Sequence, residues 1–524
     1  MGIRDEAASG HAVDATGIVS REGIPARSEP EPPAAPQPSL GTRAVHGSLW
    51  TGVRFAAQYG LRLASSLVLT RLLAPEAFGL MALVSVLMTG LAMFSDMGIA
   101  ASVVQNRRGD DPVFLDTAWT LQILRGFVLW CFAALFADAM ATVYSAPELR
   151  RIILVAGLTA VISGFNSISL LRLRRHLEIR KLAIIDILGQ AITAAATISW
   201  AWQQPSVWAL VWGGLVGCVA KMLISHLACR DHPPRLAWDR ASRQQLFAFG
   251  KWIFLSTILF FLAGQADRLI FGRLLSVSAL GVFSIAATLS AIPTQIVWQI
   301  GHSVVFPALS QRNASRDRLG RAYRRALMPL LTLGVLPVAC LAAGARPLIE
   351  ILYDPRYADA GWMLQILAVA AWIQIPQASS GAAVLAVGQP RWLVLANGLK
   401  FLAMIVLLPV GVHAFGAAGA IAGLAGAELF RYAVLTTALR HLGLPGLGAD
   451  LALTLLAVVL SFAGLSAGGW LEGQGAGAMA RLAGAIAVIV LIWIPSSAWI
   501  LRAELPGAIA GIRRRLAPAG QVGA

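Results

Sequence analysis

The sequence predicts an all-α polytopic membrane protein of about fourteen transmembrane helices, arranged as two six-helix lobes and two C-terminal helices. Three observations support this fold class. Apolar residues make up 57% of the 524 residues and charged residues only 13%, whereas an average soluble chain carries about 25% charged residues. Apolar stretches of about 20 residues, the length that crosses the hydrocarbon core, recur along the chain. Most of the Lys and Arg residues that give the net charge of +16 fall between these stretches.

Short polar spacers separate the apolar stretches, and none of them is long enough for a folded domain outside the membrane. Each stretch therefore predicts one membrane-spanning helix. In order, the fourteen predicted helices are 50–70, 77–101, 117–138, 152–171, 182–202, 207–229, 247–270, 279–302, 328–350, 361–387, 391–411, 416–438, 450–468 and 483–501.

The two ends of the chain have a different composition. Residues 1–46 include a run rich in Pro, Ala and Glu, and this composition predicts a disordered tail. The tail lacks the apolar region of a signal peptide, so we expect the first membrane helix to direct insertion. Residues 503–524 predict a second tail. The four cysteines lie in apolar stretches without metal-ligand spacing, and we expect neither a metal site nor a cofactor.

Loops rich in Lys and Arg alternate along the chain with loops that hold few of them. One set of loops together with the C-terminal tail holds 23 of them, and the opposite loops hold eight. Basic loops face the cytoplasm, so we expect both termini there. A nucleic-acid partner is not expected, because a nucleic-acid-binding protein gathers its basic residues on one face.

An internal repeat appears when each residue is compared with the residue 202 positions later. Trp50 matches Trp252, Arg71 matches Arg273 and Gly79 matches Gly281. The repeat unit contains six helices, so both copies share one orientation and form two similar lobes, as in some transporters. We expect a first lobe at 47–230, a second at 231–441 and two added helices at 442–502. The alternative is that any two apolar hairpins look alike.

Polar groups inside the predicted helices indicate a function, because a charge at the bilayer centre costs roughly 2.5–3.5 kcal/mol. Arg54, Gln58 and Arg62 follow each other at intervals of four on the first helix. Such a stripe of guanidinium groups and an amide suits a phosphate-bearing ligand. The alternative, strongest for Arg54, is that the side chain extends to the membrane surface.

Further ionisable residues at depth have two interpretations each. Arg125 and Lys400 belong to different lobes and either face a cavity between the lobes or pair with a neighbouring carboxylate. Glu428 and Arg431 are spaced to form an internal ion pair, or they serve a ligand or ion.

Three more carboxylates have predicted roles. Asp96 and Asp186 either carry a coupling cation or balance the arginines. Asp267 and Arg268, near the outer end of the seventh helix, are expected to form a surface pair.

Several short motifs resemble a known family. They are RLLAP at 71–75, FG at 78–79, DMGI at 96–99 and FPALS at 306–310. Together with their surroundings, over about residues 47–440, they resemble bacterial oligosaccharide flippases of the polysaccharide-transporter (Wzx-like) type. These belong to the multidrug/oligosaccharidyl-lipid/polysaccharide exporter superfamily.

The resemblance implies two six-helix lobes that alternate access between the two sides of a bacterial inner membrane. The implied substrate is an undecaprenyl-pyrophosphate-type glycolipid, moved from the cytoplasmic to the periplasmic leaflet for exopolysaccharide, capsule or lipopolysaccharide synthesis. A polysaccharide polymerase and export machinery are implied as partners. The motifs lie mostly at helix ends, so the resemblance nominates no binding residue.

Three other functions remain as alternatives. A cation-coupled efflux pump for small molecules would have an acidic cavity, whereas Lys and Arg outnumber Asp and Glu among the deep residues. A membrane polymerase or ligase of the same pathway would have a large external loop, and the sequence shows none. A scaffold that transports nothing would tolerate loss of the deep charges.

Overall fold

The computed structural model describes residues 40–94, 99–106, 108–229, 235–309, 316–444 and 447–502. Residues 1–46 and 47–524 form separate units, and the account below concerns the second. Most of the predicted N-terminal tail and all of the tail at 503–524 lie outside the described residues. Residues 40–46, which the sequence predicted to be disordered, are helical.

The regular elements of the described residues are α-helices, with one 3₁₀ turn at Pro355–Tyr357. In chain order the helices are α1 Leu40–Leu72, α2 Pro75–Phe94, α3 Ile99–Gln105, α4 Pro112–Val143, α5 Glu148–Gly164, α6 Ser169–Arg175, α7 Ile179–Gln203, α8 Val207–Ala228, α9 Arg240–Leu274, α10 Val277–Leu309, α11 Arg316–Leu352, α12 Ala360–Ala386, α13 Arg391–His441, α14 Leu447–Gly473 and α15 Ala478–Leu501. We call α1–α8 the first half and α9–α13 the second half.

Each of the fourteen predicted spans overlaps a helix or a closely joined pair of helices. The span at 152–171 is broken, because α5 and α6 meet at an angle of 63°. The spans at 391–411 and 416–438 lie in α13, which is interrupted at Phe415 and Gly416. Gly416 has φ of +61°, a conformation that costs glycine little because it has no Cβ.

Nine helices of the described residues are individually long and apolar enough to span a membrane, or ten if α5 and α6 form one broken span. In this count the two spans of α13 appear as one helix. The protein is an all-α polytopic membrane protein, and its helices are consistent with about fourteen spans.

Local sequence sets several helix ends. Asp111 caps α4 by accepting a hydrogen bond from the Val113 amide, and Pro112 occupies the first turn. Asp239 caps α9 in the same way by accepting from the Ser242 amide at 2.8 Å. Short side chains with an acceptor oxygen satisfy the free amides of a first turn, so α4 and α9 begin several residues before the apolar spans predicted at 117–138 and 247–270.

Small residues bring neighbouring helices close together. Gly213 and Gly217 of α8 pack against Thr197 and Thr193 of α7, and a Cβ at either glycine would overlap the threonine hydroxyl. In a membrane the hydrophobic effect does not join helices, and close packing of small residues takes its place. The two threonines are thereby fixed in position.

The two halves meet through a reciprocal contact between α2 and α10. A Cβ at Gly79 would overlap the carbonyl oxygen of Val277, and a Cβ at Gly281 would overlap that of Pro75. Val277 lies 202 positions after Pro75, and Gly281 lies 202 after Gly79. The contact is therefore symmetric in the register of the sequence repeat.

Two tyrosines reinforce this end of the molecule. Tyr144, just after α4, donates a hydrogen bond to the Leu269 carbonyl of α9 at 3.2 Å. Tyr357, in the 3₁₀ turn, donates to the Leu73 carbonyl at 3.0 Å. Each tyrosine follows a helix of one half and binds backbone of the other, so the end of α4 is joined to α9 and the 3₁₀ turn is joined to the end of α1.

Candidate functional site

A cavity of about 330 Å³ lies between the two halves, and we call it the central cavity. Residues of α1, α2, α7, α8, α9 and α10, together with Tyr353, line it. Its charged residues are Arg62 and Arg268, and its described lining contains no Asp or Glu. Seven Ser and Thr side chains add hydroxyl groups to the lining: Ser65, Ser66, Ser85, Thr193, Thr197, Ser284 and Thr288.

Helix α1 contributes one continuous face to the central cavity. The face includes Tyr59, Arg62, Ser66 and Leu69, at helical spacings of three and four. Arg54 and Gln58 are not part of it. Of the predicted stripe of Arg54, Gln58 and Arg62, only the last member lines the central cavity.

Arg54 instead joins a partly exposed ion cluster of the first half. Its Nη1 lies 3.2 Å from Oδ2 of Asp186 on α7. The ammonium of Lys221 on α8 lies 2.7 Å from Oδ1 of the same carboxylate. Asp186 thus balances part of the charge of Arg54 and Lys221.

The second half contains a buried polar network on α12 and α13. The Lys400 ammonium lies 2.6 Å from Oε1 of Glu428. Gln377 donates from Nε2 to the other carboxylate oxygen of Glu428 at 3.3 Å, and its Oε1 accepts from Arg431. Arg431 also donates to Oδ1 of Asn397 at 3.0 Å. Glu428 therefore pairs with Lys400, and Gln377 links it to the expected partner Arg431.

Lys400 and Glu428 line a separate cavity of about 240 Å³ within the second half, which they share with Asp267, Arg268 and Gln374. The expected surface pair of Asp267 and Arg268 does not match this arrangement. Arg268 donates to Oε1 of Gln265 at 2.7 Å, and Oδ1 of Asp267 is buried without a hydrogen-bond partner among the described residues.

Arg125 lies in a third cavity, of about 500 Å³, enclosed by helices of the first half. Its Nη2 donates to the Ala92 carbonyl at the end of α2 at 2.7 Å. Lys221 also lines this cavity. The structure thus distributes Arg62, Arg125 and Lys400 over three cavities, and only Arg62 of the three reaches the central one.

Asp96, the other predicted carboxylate, lies outside the described residues. No group of three His, Cys, Asp or Glu side chains in the described residues is placed to hold a metal ion. The sequence interpretation missed Arg268 as a cavity residue, because its position near a helix end suggested a surface loop. It also missed the hydroxyl lining, whose signal is a set of Ser and Thr residues recurring on facing helices.

Comparison with known proteins gives one family. The family model described as "Polysaccharide biosynthesis protein" matches residues 68–361. The succinoglycan biosynthesis transport protein ExoT of Rhizobium meliloti (strain 1021) is 24% identical over 341 residues, which are 65% of this chain and 68% of ExoT. The lipopolysaccharide biosynthesis protein WzxC of Escherichia coli (strain K12) is 22% identical over 386 residues, or 74% of this chain and 78% of WzxC.

Solved structures share the fold. The lipid II flippase MurJ in an inward closed conformation superimposes with a TM-score of 0.71 at 11% sequence identity, covering 88% of this chain and 100% of that chain. An inward-facing multidrug-resistance MATE family transporter of the MOP superfamily gives a TM-score of 0.59 at 16% identity. It covers 79% of this chain and 99% of its own. At these identities the likeness concerns the fold alone.

Proposed function

Because the chain belongs to the family of polysaccharide biosynthesis proteins, we propose that it is a flippase for a polyprenyl-pyrophosphate-linked oligosaccharide. The glycolipid moves from the cytoplasmic to the periplasmic leaflet of a bacterial inner membrane, where it is used for exopolysaccharide, capsule or lipopolysaccharide synthesis. The names of ExoT and WzxC support transport in such synthesis. The fold shared with a lipid II flippase supports movement of a lipid-linked sugar.

The observation that carries the proposal is the chemistry of the central cavity. Its two charged residues, Arg62 and Arg268, face a wall of hydroxyl groups without a carboxylate in the described lining. A guanidinium keeps its charge and offers a planar fork of donors that fits phosphate oxygens. Five of the seven hydroxyl groups already donate to a backbone carbonyl of their own helix and can still accept hydrogen bonds from sugar hydroxyls. They belong to Ser65, Thr193, Thr197, Ser284 and Thr288. A pyrophosphate joined to sugars matches both parts of this surface.

In the proposed transport cycle, the two ends of the substrate occupy different environments. Arg62 holds the pyrophosphate while the sugars contact the hydroxyl-lined wall. The prenyl chain stays in the lipid, because withdrawing each buried methylene group from it would cost about 0.8 kcal/mol. Rocking of the two halves opens the cavity first to one leaflet and then to the other, and breaking the α2–α10 contact exposes it on the periplasmic side.

The same cavity argues against an efflux pump for small cations. A cationic substrate would need carboxylates at its binding site, and the described lining of the central cavity contains none. A polymerase or ligase of the same pathway is not supported, since the relatives and the neighbours in fold are transporters. Polymerase and export machinery remain proposed partners, and both termini are proposed to be cytoplasmic.

A complementation experiment tests the proposal. A strain lacking the gene receives the wild-type gene, Arg62→Ala or Arg71→Ala, and surface polysaccharide and lipid-linked repeat units are measured. Arg71 is the control because it is on the same helix but outside the central cavity. A hydrogen bond to a charged group contributes about 1.5–3 kcal/mol. We therefore expect Arg62→Ala to reduce export at least tenfold and repeat units to accumulate, with Arg71→Ala near wild type.

Two results would contradict the proposal in different ways. Normal export with Arg62→Ala removes the binding role of Arg62 and leaves the flippase function standing. Unchanged export after deletion of the whole gene, with no accumulated repeat units, excludes the flippase function itself.

A further inference from the structure

The cavity of about 500 Å³ within the first half has no part in the proposed transport cycle. Helices α2, α4, α5, α6 and α8 line it, and we call it the α5–α6 pocket. Three cationic side chains reach it: Arg125 of α4, Arg174 of α6 and Lys221 of α8. Asp186 neutralises Lys221, so the net charge comes from the two arginines. None of its described lining residues is Asp or Glu. The pocket is therefore positively charged and separate from the central cavity.

The break between α5 and α6 forms one wall of this pocket. The bend of 63° frees backbone groups that need hydrogen-bond partners inside a membrane protein. Neighbouring side chains supply them: Gln122 donates to the Gly164 carbonyl at 2.9 Å, and the Ser167 amide donates to the Ser225 hydroxyl at 3.0 Å. The backbone of the break is thus satisfied without a ligand.

One polar group of the wall remains unsatisfied. Oδ1 of Asn166 is buried and has no hydrogen-bond partner among the described residues. A buried polar atom without a partner costs about 1–3 kcal/mol. A ligand with a hydroxyl or amine donor would remove this cost.

Arg174 differs from the other arginines of α6. Arg172 and Arg175 both lie beside Asp110, at 3.6 and 2.9 Å. Arg174 makes no ion pair within the described part of the chain and lines the pocket at its α6 end. Its side chain can therefore bind a ligand without breaking an existing contact.

We propose that the α5–α6 pocket binds the phosphate group of an anionic glycerophospholipid from the leaflet beside α6. The orientation predicted from the loops makes this leaflet cytoplasmic. Basic pockets between helices on that side suit lipid headgroups. Arg174 and Arg125 donate to the phosphate oxygens, and a headgroup hydroxyl donates to Asn166 Oδ1. The apolar side chains of Met88, Leu129 and Leu171 contact the beginning of the acyl chains.

The pyrophosphate of the proposed substrate has similar chemistry, so the experiment separates the two sources. Full-length protein is purified, and retention of phosphatidylglycerol, phosphatidylcholine and a polyprenyl pyrophosphate is measured by native mass spectrometry. The variants are Arg174→Gln and Arg240→Gln. Arg240 is the matched control, because it is an exposed basic residue that lies outside the pocket.

The proposal expects a selective loss. One basic side chain near the membrane surface contributes about 1 kcal/mol, so Arg174→Gln weakens phosphatidylglycerol retention about fivefold. Arg174→Lys retains most of it, and Arg240→Gln retains all of it. Retention of polyprenyl pyrophosphate does not change in Arg174→Gln, and phosphatidylcholine is retained weakly by every variant.

Two results would overturn the proposal. If Arg174→Gln weakens retention of the polyprenyl pyrophosphate and leaves phosphatidylglycerol unchanged, the pocket belongs to the substrate pathway. If neither Arg174→Gln nor Asn166→Asp, which adds a negative charge to the wall, changes phosphatidylglycerol retention, the pocket is not a phospholipid site. Arg62→Ala leaves phosphatidylglycerol retention unchanged in both cases, so failure here is distinct from failure of the flippase proposal.

Discussion

The two halves of the molecule bury charge in similar numbers but in different arrangements. In the first half, Asp186 directly contacts both Arg54 and Lys221. In the second half, Glu428 contacts Lys400, and Gln377 links it to Arg431. The side chain of Asp186 is 13% exposed and that of Glu428 is 3% exposed. The cluster of the first half is therefore partly open, and that of the second half is closed.

This difference separates charges that maintain the fold from charges that can bind a substrate. A buried carboxylate that holds a cation at about 3 Å reduces the cost of burying both. In the central cavity, Arg62 faces a described lining without Asp or Glu, so its charge is available to an anion. Arg268 is shared with the neighbouring cavity, which also holds Asp267 and Glu428. Depth in the membrane alone does not distinguish these two kinds of arginine.

Removing the carboxylate of the closed cluster is expected to have the largest effect on stability. Glu428→Gln leaves Lys400, whose side chain is 15% exposed, buried as a cation without its partner. Breaking a buried ion pair in this way costs about 3–5 kcal/mol. We expect a lower apparent Tm in detergent and a lower yield of folded protein, measured by thermal unfolding and size-exclusion chromatography.

A double variant provides the control for this prediction. Combining Glu428→Gln with Lys400→Met removes both charges, and we expect most of the lost stability to return. If the double variant is as unstable as the single one, the carboxylate acts through Gln377 and Arg431 rather than through Lys400.

The open cluster is expected to tolerate the same change better. Asp186→Asn removes the shared carboxylate of Arg54 and Lys221, whose side chains are 30% and 39% exposed. Neither cation is enclosed as Lys400 is, and a partly exposed ion pair contributes less than a buried one, about 0–1 kcal/mol where water surrounds it. The fall in Tm should therefore be clearly smaller than for Glu428→Gln. An equal or larger fall would show that the two clusters do not differ as the exposures indicate.

The smallest effect on stability is expected for a residue outside the membrane, Asp110 in the turn before α4. Asp110 lies beside Arg172, Arg175 and His176. Burial raises the pKa of Asp110, but the hydrogen bonds and charges of His176 and Arg175 outweigh it and hold the pKa below its usual value. The group therefore stabilises the fold above the unfolded-state pKa of about 3.9, and this contribution is lost as the pH falls through the lower folded-state value.

The variant Asp110→Asn tests whether the carboxylate of Asp110 stabilises the fold at neutral pH and loses this effect in acid. The variant should be slightly less stable than wild type at pH 7, and the difference should shrink as the pH falls below about 3.9 and through the lower folded-state pKa. Thermal unfolding in detergent at pH 7 and along a series of falling pH values measures it. A difference that grows on acidification would contradict the assignment.

Much of the fold could be predicted from the sequence because its signals are local or repeated. Apolar length locates the helices but not their ends, since α4 and α9 begin before the predicted spans, at the caps Asp111 and Asp239. The sequence repeat at an offset of 202 residues pairs Gly79 with Gly281, and these two glycines face each other in the structure. The break between α5 and α6 was not predicted, because the apolar composition continues through it and the side chains that satisfy its backbone are distant in sequence.

For the candidate site as well, one part could be predicted from the sequence and another part could not. The sequence by itself determined that cations outnumber carboxylates inside the membrane and that an anionic substrate is expected. It could not determine which cations are paired, since Lys400 and Glu428, or Arg54 and Asp186, meet only when their helices pack. Tertiary structure alone placed Arg62 and Arg268 in one cavity and Arg125 in another, because helix rotation and packing decide which residues share a cavity.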